Sequence, residues 1–363
     1  MTTDTTPALS IVATTRNDDH GGGMLKRTQL FVRCLLAQCR RHRLQAELVL
    51  VEWNPPDDRP PLCDVLPSPG ADDTLSIRYV VVPQAIHARY RHGRAIPLFQ
   101  MIAKNVGIRR ARADFILCTN VDLLFSDAVM QRLSSEALRP ECFYRCNRCD
   151  VPETIDETLS TAELLLWCAQ HVIRRQGRDM RYPNINVEAL GLKDKRVPGW
   201  LLDKAGLVLR QFWSPAERAF YELDSFACGD FTMMHRDAWH AVRGYLELDL
   251  YSLHVDSLGL VSAKALGYTQ HVYPREACTY HIDHASGWSS MSAPEKLRFV
   301  EERPAIDYSL LREVALYALE HADPLHLNDD HWGLADVDLE EIACPTFRPD
   351  ESRFAAGSMA VSR

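Results

Sequence analysis

Residues 104–122 read KNVGIRRARADFILCTNVD, and this stretch decides the fold. Just before and within it, Leu98, Met101, Ile102 and Val106 recur at helical spacing. Pro97 precedes them, a residue favoured in the first helical turn, so the pattern predicts a helix that begins at Pro97. Phe115 to Thr119 is a short apolar run of strand length, and the polar triplet Asn120, Val121, Asp122 ends it. A helix that feeds directly into a buried strand is half of a βαβ unit, the building block of a parallel sheet.

The same alternation extends in both directions. Leu9 to Thr14 reads as a first strand, followed by the turn Gly21, Gly22, Gly23 and an amphipathic helix with Phe31, Val32, Leu35, Leu36 and Cys39 on one face. Glu47 to Trp53 reads as a second strand, stopped by Pro55 and Pro56, and Tyr79 to Val82 as a third. From Pro140 to about Phe226 the pattern loosens into a helical insertion, with one helix between Ser160 and Arg175. Phe231 to His235 predicts another strand, Arg236 to Val242 and Ser257 to Leu266 two helices, and His271 to Tyr273 and Cys278 to His281 two short strands. A last helix is expected from Ser309 to Glu320. The expected fold is α/β, a Rossmann-type mixed and mainly parallel sheet flanked by helices, with a helical C-terminal extension over 291–350 and a disordered tail over 351–363.

Composition narrows the function classes. With 46% hydrophobic residues in 363, the chain can bury an ordinary core, and its net charge of −8 argues against nucleic-acid binding. No apolar run approaches the roughly 20 residues of a transmembrane helix. The opening MTTDTTPALS lacks the basic and apolar regions of a secretory signal, so a cytoplasmic protein is expected. Eleven cysteines, among them Cys34, Cys39, Cys118 and Cys228 in apolar contexts, read as reduced core thiols. Cys142, Cys146 and Cys149 have a spacing that could seed a zinc site, yet no second Cys pair or close His follows. The three glycines at 21–23 lack the Lys-Ser/Thr of a phosphate loop, which excludes an ATPase of that kind.

In an open α/β sheet ligands bind at the carboxyl ends of the strands. Those ends here carry Thr14, Thr15, Arg16, Asn17 and Asp18, then Glu52, Trp53 and Asn54, then Asn120 and Asp122. Asp122 lies among Val121, Leu123, Leu124 and Phe125, where an unpaired carboxylate is costly, so it needs either a divalent cation or a role as a turn or helix cap. Asp256, in HVDSLGL just before a helix, is a candidate general base or a helix cap. His281, Asp283 and His284 form the densest group of potential ligands. Strand alternation would put His281 and Asp283 on one face and His284 on the other. Arg89, Arg91 and Arg94 precede a helix and could receive phosphate oxygens or form a solvated loop.

The order of these parts resembles the GT-A fold of nucleotide-sugar glycosyltransferases, particularly the family-2-like group. The matching pieces are SIVATTRND, LVLVEWNPP, KNVGIRRARADFILCTNVD, GDFTMMHRDAWHAVRGY, HVDSLGLVSAKALGY and YHIDH, spanning Ser10 to Trp288, about three quarters of the chain. The resemblance implies a catalytic domain over 8–290, with a nucleotide-binding half over 8–125, the insertion over 140–226 and an acceptor and metal half over 227–290. It implies Thr14, Arg16 and Asn17 by the nucleotide, Glu52 on its base or ribose, and Lys104 near the pyrophosphate. The family's Asp-x-Asp metal motif falls on Asn120, Val121 and Asp122, so Asn120 replaces the first acid and becomes a neutral hydrogen-bonding partner. Asp122, His281 and, second, His284 would hold a divalent cation, Mn or Mg. Asp256 would be the catalytic base of an inverting transfer. Asp230 and Trp288 would contact the acceptor, with Trp288 on a flap.

The implied reaction moves a sugar from a nucleotide-diphosphate donor to a glycan or lipid-linked acceptor. That reaction belongs to polysaccharide or glycolipid assembly, with membrane association only through the acceptor. Two other readings stay open on the residues: a metal-dependent hydrolase built on His281, Asp283 and His284, and a non-catalytic nucleotide-sugar binding protein, which Asn120 would suit.

Overall fold

Gly107 lets a helix lie directly on the first strand of the sheet. A Cβ at this position would stand 2.4 Å from Val12 Cγ1, so only glycine permits the approach. The structure, a computed structural model, describes residues 6–177, 212–284 and 292–344. Trp288, the expected flap, and the expected tail over 351–363 lie outside the described residues.

In chain order the first elements are β1 (Leu9–Thr15), α1 (Met24–His42), β2 (Ala46–Trp53), α2 (Leu62–Val65), β3 (Leu75–Val82), α3 (Gln84–His87) and α4 (Gln100–Arg110). Then come β4 (Phe115–Thr119), β5 (Leu123–Phe125), α5 (Asp127–Ser135), β6 (Cys142–Arg145), β7 (Asn147–Val151), α6 (Thr161–Gln170) and β8 (Arg174–Gln176). After the segment not described follow α7 (Pro215–Glu222), β9 (Phe231–His235), α8 (Arg236–Ala241), α9 (Val255–Ala265), β10 (Thr269–Val272) and β11 (Cys278–Ile282). The chain continues with α10 (Ala293–Glu302), α11 (Tyr308–His321) and β12 (Glu340–Ala343).

An eight-stranded sheet has the order β10-β6-β9-β4-β1-β2-β3-β12. β1 pairs parallel with β2 and β4, and β2 with β3, so the expected mainly parallel sheet is present. β9 and β12 run against it. A second, four-stranded sheet has the order β5-β11-β7-β8. One face of the large sheet packs against α4, α8, α9 and α11, and the other against α1 and α5. Among the described residues no helix is long and apolar enough to cross a membrane.

Several boundaries differ from the sequence reading. The helix expected at Pro97 starts at Gln100, because the Pro97 carbonyl accepts a bond from Asn54 Nδ2 (3.1 Å) and holds that segment against the end of β2. The stretch read as a helical insertion over 140–226 supplies β6 to the large sheet and β7 and β8 to the small one. β12, an edge strand with mostly exposed residues, was not expected. Arg78 interrupts the apolar run of β3 but is buried and paired with Glu47 (3.1 Å) and Glu341 (2.7 Å), which ties β12 to the sheet.

Asn105 shows why the decisive stretch is so constrained. It is fully buried, donates to the Tyr245 carbonyl (2.8 Å) and to Glu247 (2.9 Å), and accepts from Tyr245 N–H (2.8 Å). One amide thereby fixes the turn after α8 to α4. A methyl at Gly107 would have to displace Val12, so Gly107→Ala should cost about 1–3 kcal/mol, the usual range for overpacking. Urea denaturation would show this as a lower midpoint with an unchanged slope. An unchanged midpoint would mean that α4 can draw back from β1.

Candidate functional site

The carboxyl ends of β1, β2 and β4 lie along one rim of the sheet, and β9 begins at that rim because Phe231 stands opposite Thr119. Buried polar atoms gather there. Thr14 Oγ1, Thr15 Oγ1, Glu52 Oε1 and Asn54 Oδ1 have no hydrogen-bond partner among the described residues. Burial pushes the Glu52 carboxyl up, and the Leu62 N–H (3.2 Å) on its other oxygen opposes this. Asn54 has a left-handed backbone, φ 51°, and its carbonyl accepts from Arg16 Nε at 2.6 Å. Arg16 also pairs with Asp18 (2.9 Å), and Asn17 Nδ2 donates to the Pro60 carbonyl (2.7 Å). These loops are therefore tied to one another rather than projecting freely.

Asp122 follows β4 and meets two histidines from the end of β11. His281 Nε2 is 3.5 Å and His284 Nε2 3.4 Å from Asp122 Oδ2, and the two imidazole centroids are 5.5 Å apart. The ligand atoms of the three side chains lie within 4.8 Å of one another, the one such group among the described residues. Strand alternation fails here because β11 ends at Ile282. The chain then turns, His284 joins His281, and Asp283 accepts from the His284 N–H (3.1 Å) instead of entering the cluster. Ser126 is the N-cap of α5, so Asp122 does not cap that helix. Asp122 Oδ1 is buried without a partner among the described residues, which is what a carboxylate oxygen awaiting a cation looks like. The residues present thus fit a divalent ion. Burial raises the Asp122 carboxyl, but His281 and His284 outweigh it and hold it well below its usual range. Burial likewise works against charge on His281, and Asp122 and Asp150 overcome it, raising the imidazole to about 9.

Asn120 points its amide elsewhere. Its oxygen accepts from Lys104 Nζ (2.8 Å) and Gln100 Nε2 (2.8 Å), and its nitrogen donates to Asp230 Oδ1 (2.7 Å). An amide satisfies a cation on one side and a carboxylate on the other. An acid at 120 would face Asp230 with like charge. Lys104 is fully buried and also donates to the Gly229 carbonyl (2.6 Å), so it supports the rim from behind, and burial pulls its ammonium down. Asp230 is buried between Asn120 and Arg148 Nη1 (3.0 Å).

The loop carrying Gly229 and Asp230 is held by Arg145, a fully buried guanidinium that donates to the carbonyls of Asp224, Phe226, Cys228 and Phe231. Across that loop stands Asp256 in the first turn of α9. Its Oδ2 accepts from Gly229 N–H (2.8 Å) and its Oδ1 from Ser257 N–H (2.9 Å). The N-cap position itself is His254, with φ 65° and no side-chain capping bond, so the capping reading of Asp256 does not describe its place.

Asp150 and Arg148, on β7, were not singled out from the sequence. Asp150 stands opposite His281 in the parallel β7–β11 pair. Only the alternation of Arg148 and Asp150 within an otherwise buried strand could have pointed to them. Cys142, Cys146 and Cys149 are buried, Cys142 and Cys146 in one apolar cluster and Cys149 in another, as the thiol reading expected.

No protein-family model matches the chain, and neither does any curated protein. Among solved structures it is similar to a mannosyltransferase from Pyrobaculum calidifontis in complex with GDP-Man and Mn2+. The identity is 12% over 88% of this chain and 74% of that one, with a TM-score of 0.39. It is also similar to the catalytic domain of Drosophila β1,4-galactosyltransferase 7 in complex with xylobiose, at 12% identity over 82% and 81% of the two chains and a TM-score of 0.36. A third is the galactosyltransferase LgtC with donor and acceptor sugar analogues, at 10% identity over 83% and 98% and a TM-score of 0.34.

Proposed function

We propose that this chain is a nucleotide-sugar glycosyltransferase that moves a sugar from a nucleoside diphosphate to an acceptor hydroxyl. One observation carries the reading: two carboxylates of different chemistry belong to the same strand-end rim. Asp122 is flanked by two imidazoles, whereas Asp256 is anchored by two backbone N–H groups. The first suits a cation facing a leaving diphosphate, the second a base facing an incoming hydroxyl.

The unpartnered atoms of Thr14, Thr15, Glu52 and Asn54 would receive the nucleoside. Asp122, His281 and His284 would hold a divalent ion, Mn or Mg, which when bound supplies positive charge to the departing diphosphate. Asp256 keeps lone-pair capacity after accepting its backbone bonds, so it can take the acceptor's proton while Gly229 and Ser257 fix its direction. The sugar carbon is attacked from the side opposite the diphosphate, and the transfer inverts its configuration. A glycan or lipid-linked acceptor on the cytoplasmic side of a membrane, in polysaccharide or glycolipid assembly, fits this reading. The hydrolase alternative loses one of its three ligands, since Asp283 turns away from the cluster.

One nucleoside diphosphate should raise the thermal midpoint, by up to about 2.7 kcal/mol of stabilisation at 100 times its Kd, and more in the presence of Mn2+. Asp122→Ala should remove the metal-dependent increment alone. Stabilisation by metal without any nucleotide, together with phosphoester hydrolysis, would overturn the reading. Asp256→Asn should lower transfer by about 10²–10⁴-fold while nucleotide still protects the protein. Near-normal turnover of that variant would remove Asp256 as the base.

A further inference from the structure

Asp150 is a buried charge that the proposed transfer does not use. It has no exposed surface, and its oxygens accept from Arg148 Nε (2.6 Å), Arg174 Nε, Gln176 Nε2 (3.2 Å) and His281 Nδ1 (3.1 Å). An ionised carboxylate only accepts, so its bond to His281 requires the proton on Nδ1. Nε2, on the other side of the ring, faces Asp122 Oδ2 at 3.5 Å, so it is the nitrogen that a cation held by Asp122 would meet in place of its proton. The parallel register sets Asp150 directly across from His281, so the orientation is built into the sheet and not into a loop.

We propose that Asp150 is the positioning residue of a site made by His281, His284 and Asp122, and that this site takes divalent transition-metal ions in preference to Mg2+. The inference rests on the reading that these three side chains hold a divalent ion. Two imidazoles and one carboxylate with open positions suit ions such as Fe2+, Co2+ or Zn2+, whereas Mg2+ favours an all-oxygen octahedral shell. Asn120, whose amide oxygen would have been a further hard ligand, is bonded to Lys104 and Gln100 instead. The ligand set is therefore softer than a pair of carboxylates, and a carboxylate behind the histidine makes the imidazole a stronger donor.

The test uses the full chain without an affinity tag, with Mn2+ binding read by loss of the free-ion electron paramagnetic resonance signal and other ions added as competitors. Co2+ should displace Mn2+ at a concentration at least about tenfold lower than Mg2+. Asp150→Asn should weaken Co2+ binding by about 10–100-fold with the circular dichroism spectrum retained. Should that variant not fold, nitrogen-15 histidine spectra of the Zn2+-loaded wild type decide. Ligation of His281 through Nε2 with Nδ1 protonated supports the proposal, and ligation through Nδ1 overturns it. Mg2+ competing as well as Co2+ overturns the selectivity, and unchanged Co2+ affinity in folded Asp150→Asn overturns the positioning role. No binding of any ion overturns the proposal together with the metal reading beneath it. Tight Co2+ and weak Mg2+ binding supports it even where no nucleoside diphosphate stabilises the protein.

Discussion

A carboxylate with no access to solvent must be matched by charge in place, since its desolvation is worth several kcal/mol and removing a partner from such a pair costs about 3–5 kcal/mol. Asp150 imposes that requirement on this molecule. Arg148, Arg174 and His281 meet it, and Arg148 and His281 each then have a second duty. His281 faces Asp122, and Arg148 reaches Asp230, which fixes Asn120, which accepts from Lys104, which bonds the Gly229 carbonyl beneath Asp256. The polar groups of the rim are thus one connected network. It runs from the small sheet to the large one and gives each charged group an opposite or neutral neighbour. Under this constraint the amide of Asn120 is a requirement of the network and not a lost ligand.

The parallel centre of the large sheet, β1 to β4, was legible because its strands are mostly apolar and its helices repeat at the helical period. Phe115–Thr119 appears with the predicted bounds, and β1, β2 and α11 within one residue or two at each end. Of the small sheet only β11 was expected, and the reason is physical. β7 carries Arg148 and Asp150 at positions that a sequence pattern assigns to solvent, and Asp150 is buried there because Arg148, Arg174 and His281 neutralise it. The site lies where local patterning fails, as expected when function overrides the local rule.

Single residues were legible to different depths. Asp122 was readable from its apolar flanks, which made an uncompensated charge implausible. The convergence of His281 and His284 was expected from the family resemblance alone, since strand alternation separates them and the end of β11 at Ile282 brings them together. Lys104 was expected beside the diphosphate, and its complete burial under Asn120 depends on how α4 sits on β1, a contact set by Gly107 across a long stretch of chain. Asp150 required the pairing of β7 with β11, which no local signal announces.

The proposed transfer requires that the rim holding Asp122, His281 and His284 receive a diphosphate whose nucleoside lies along the ends of β1 and β2. Anomalous diffraction from crystals grown with Mn2+ and the stabilising nucleoside diphosphate tests it most directly. One manganese peak is expected, bounded by Asp122, His281 and His284, with diphosphate oxygens completing its shell and the base near Glu52. A nucleotide bound away from this rim, or manganese seated without any of these three side chains, would contradict it.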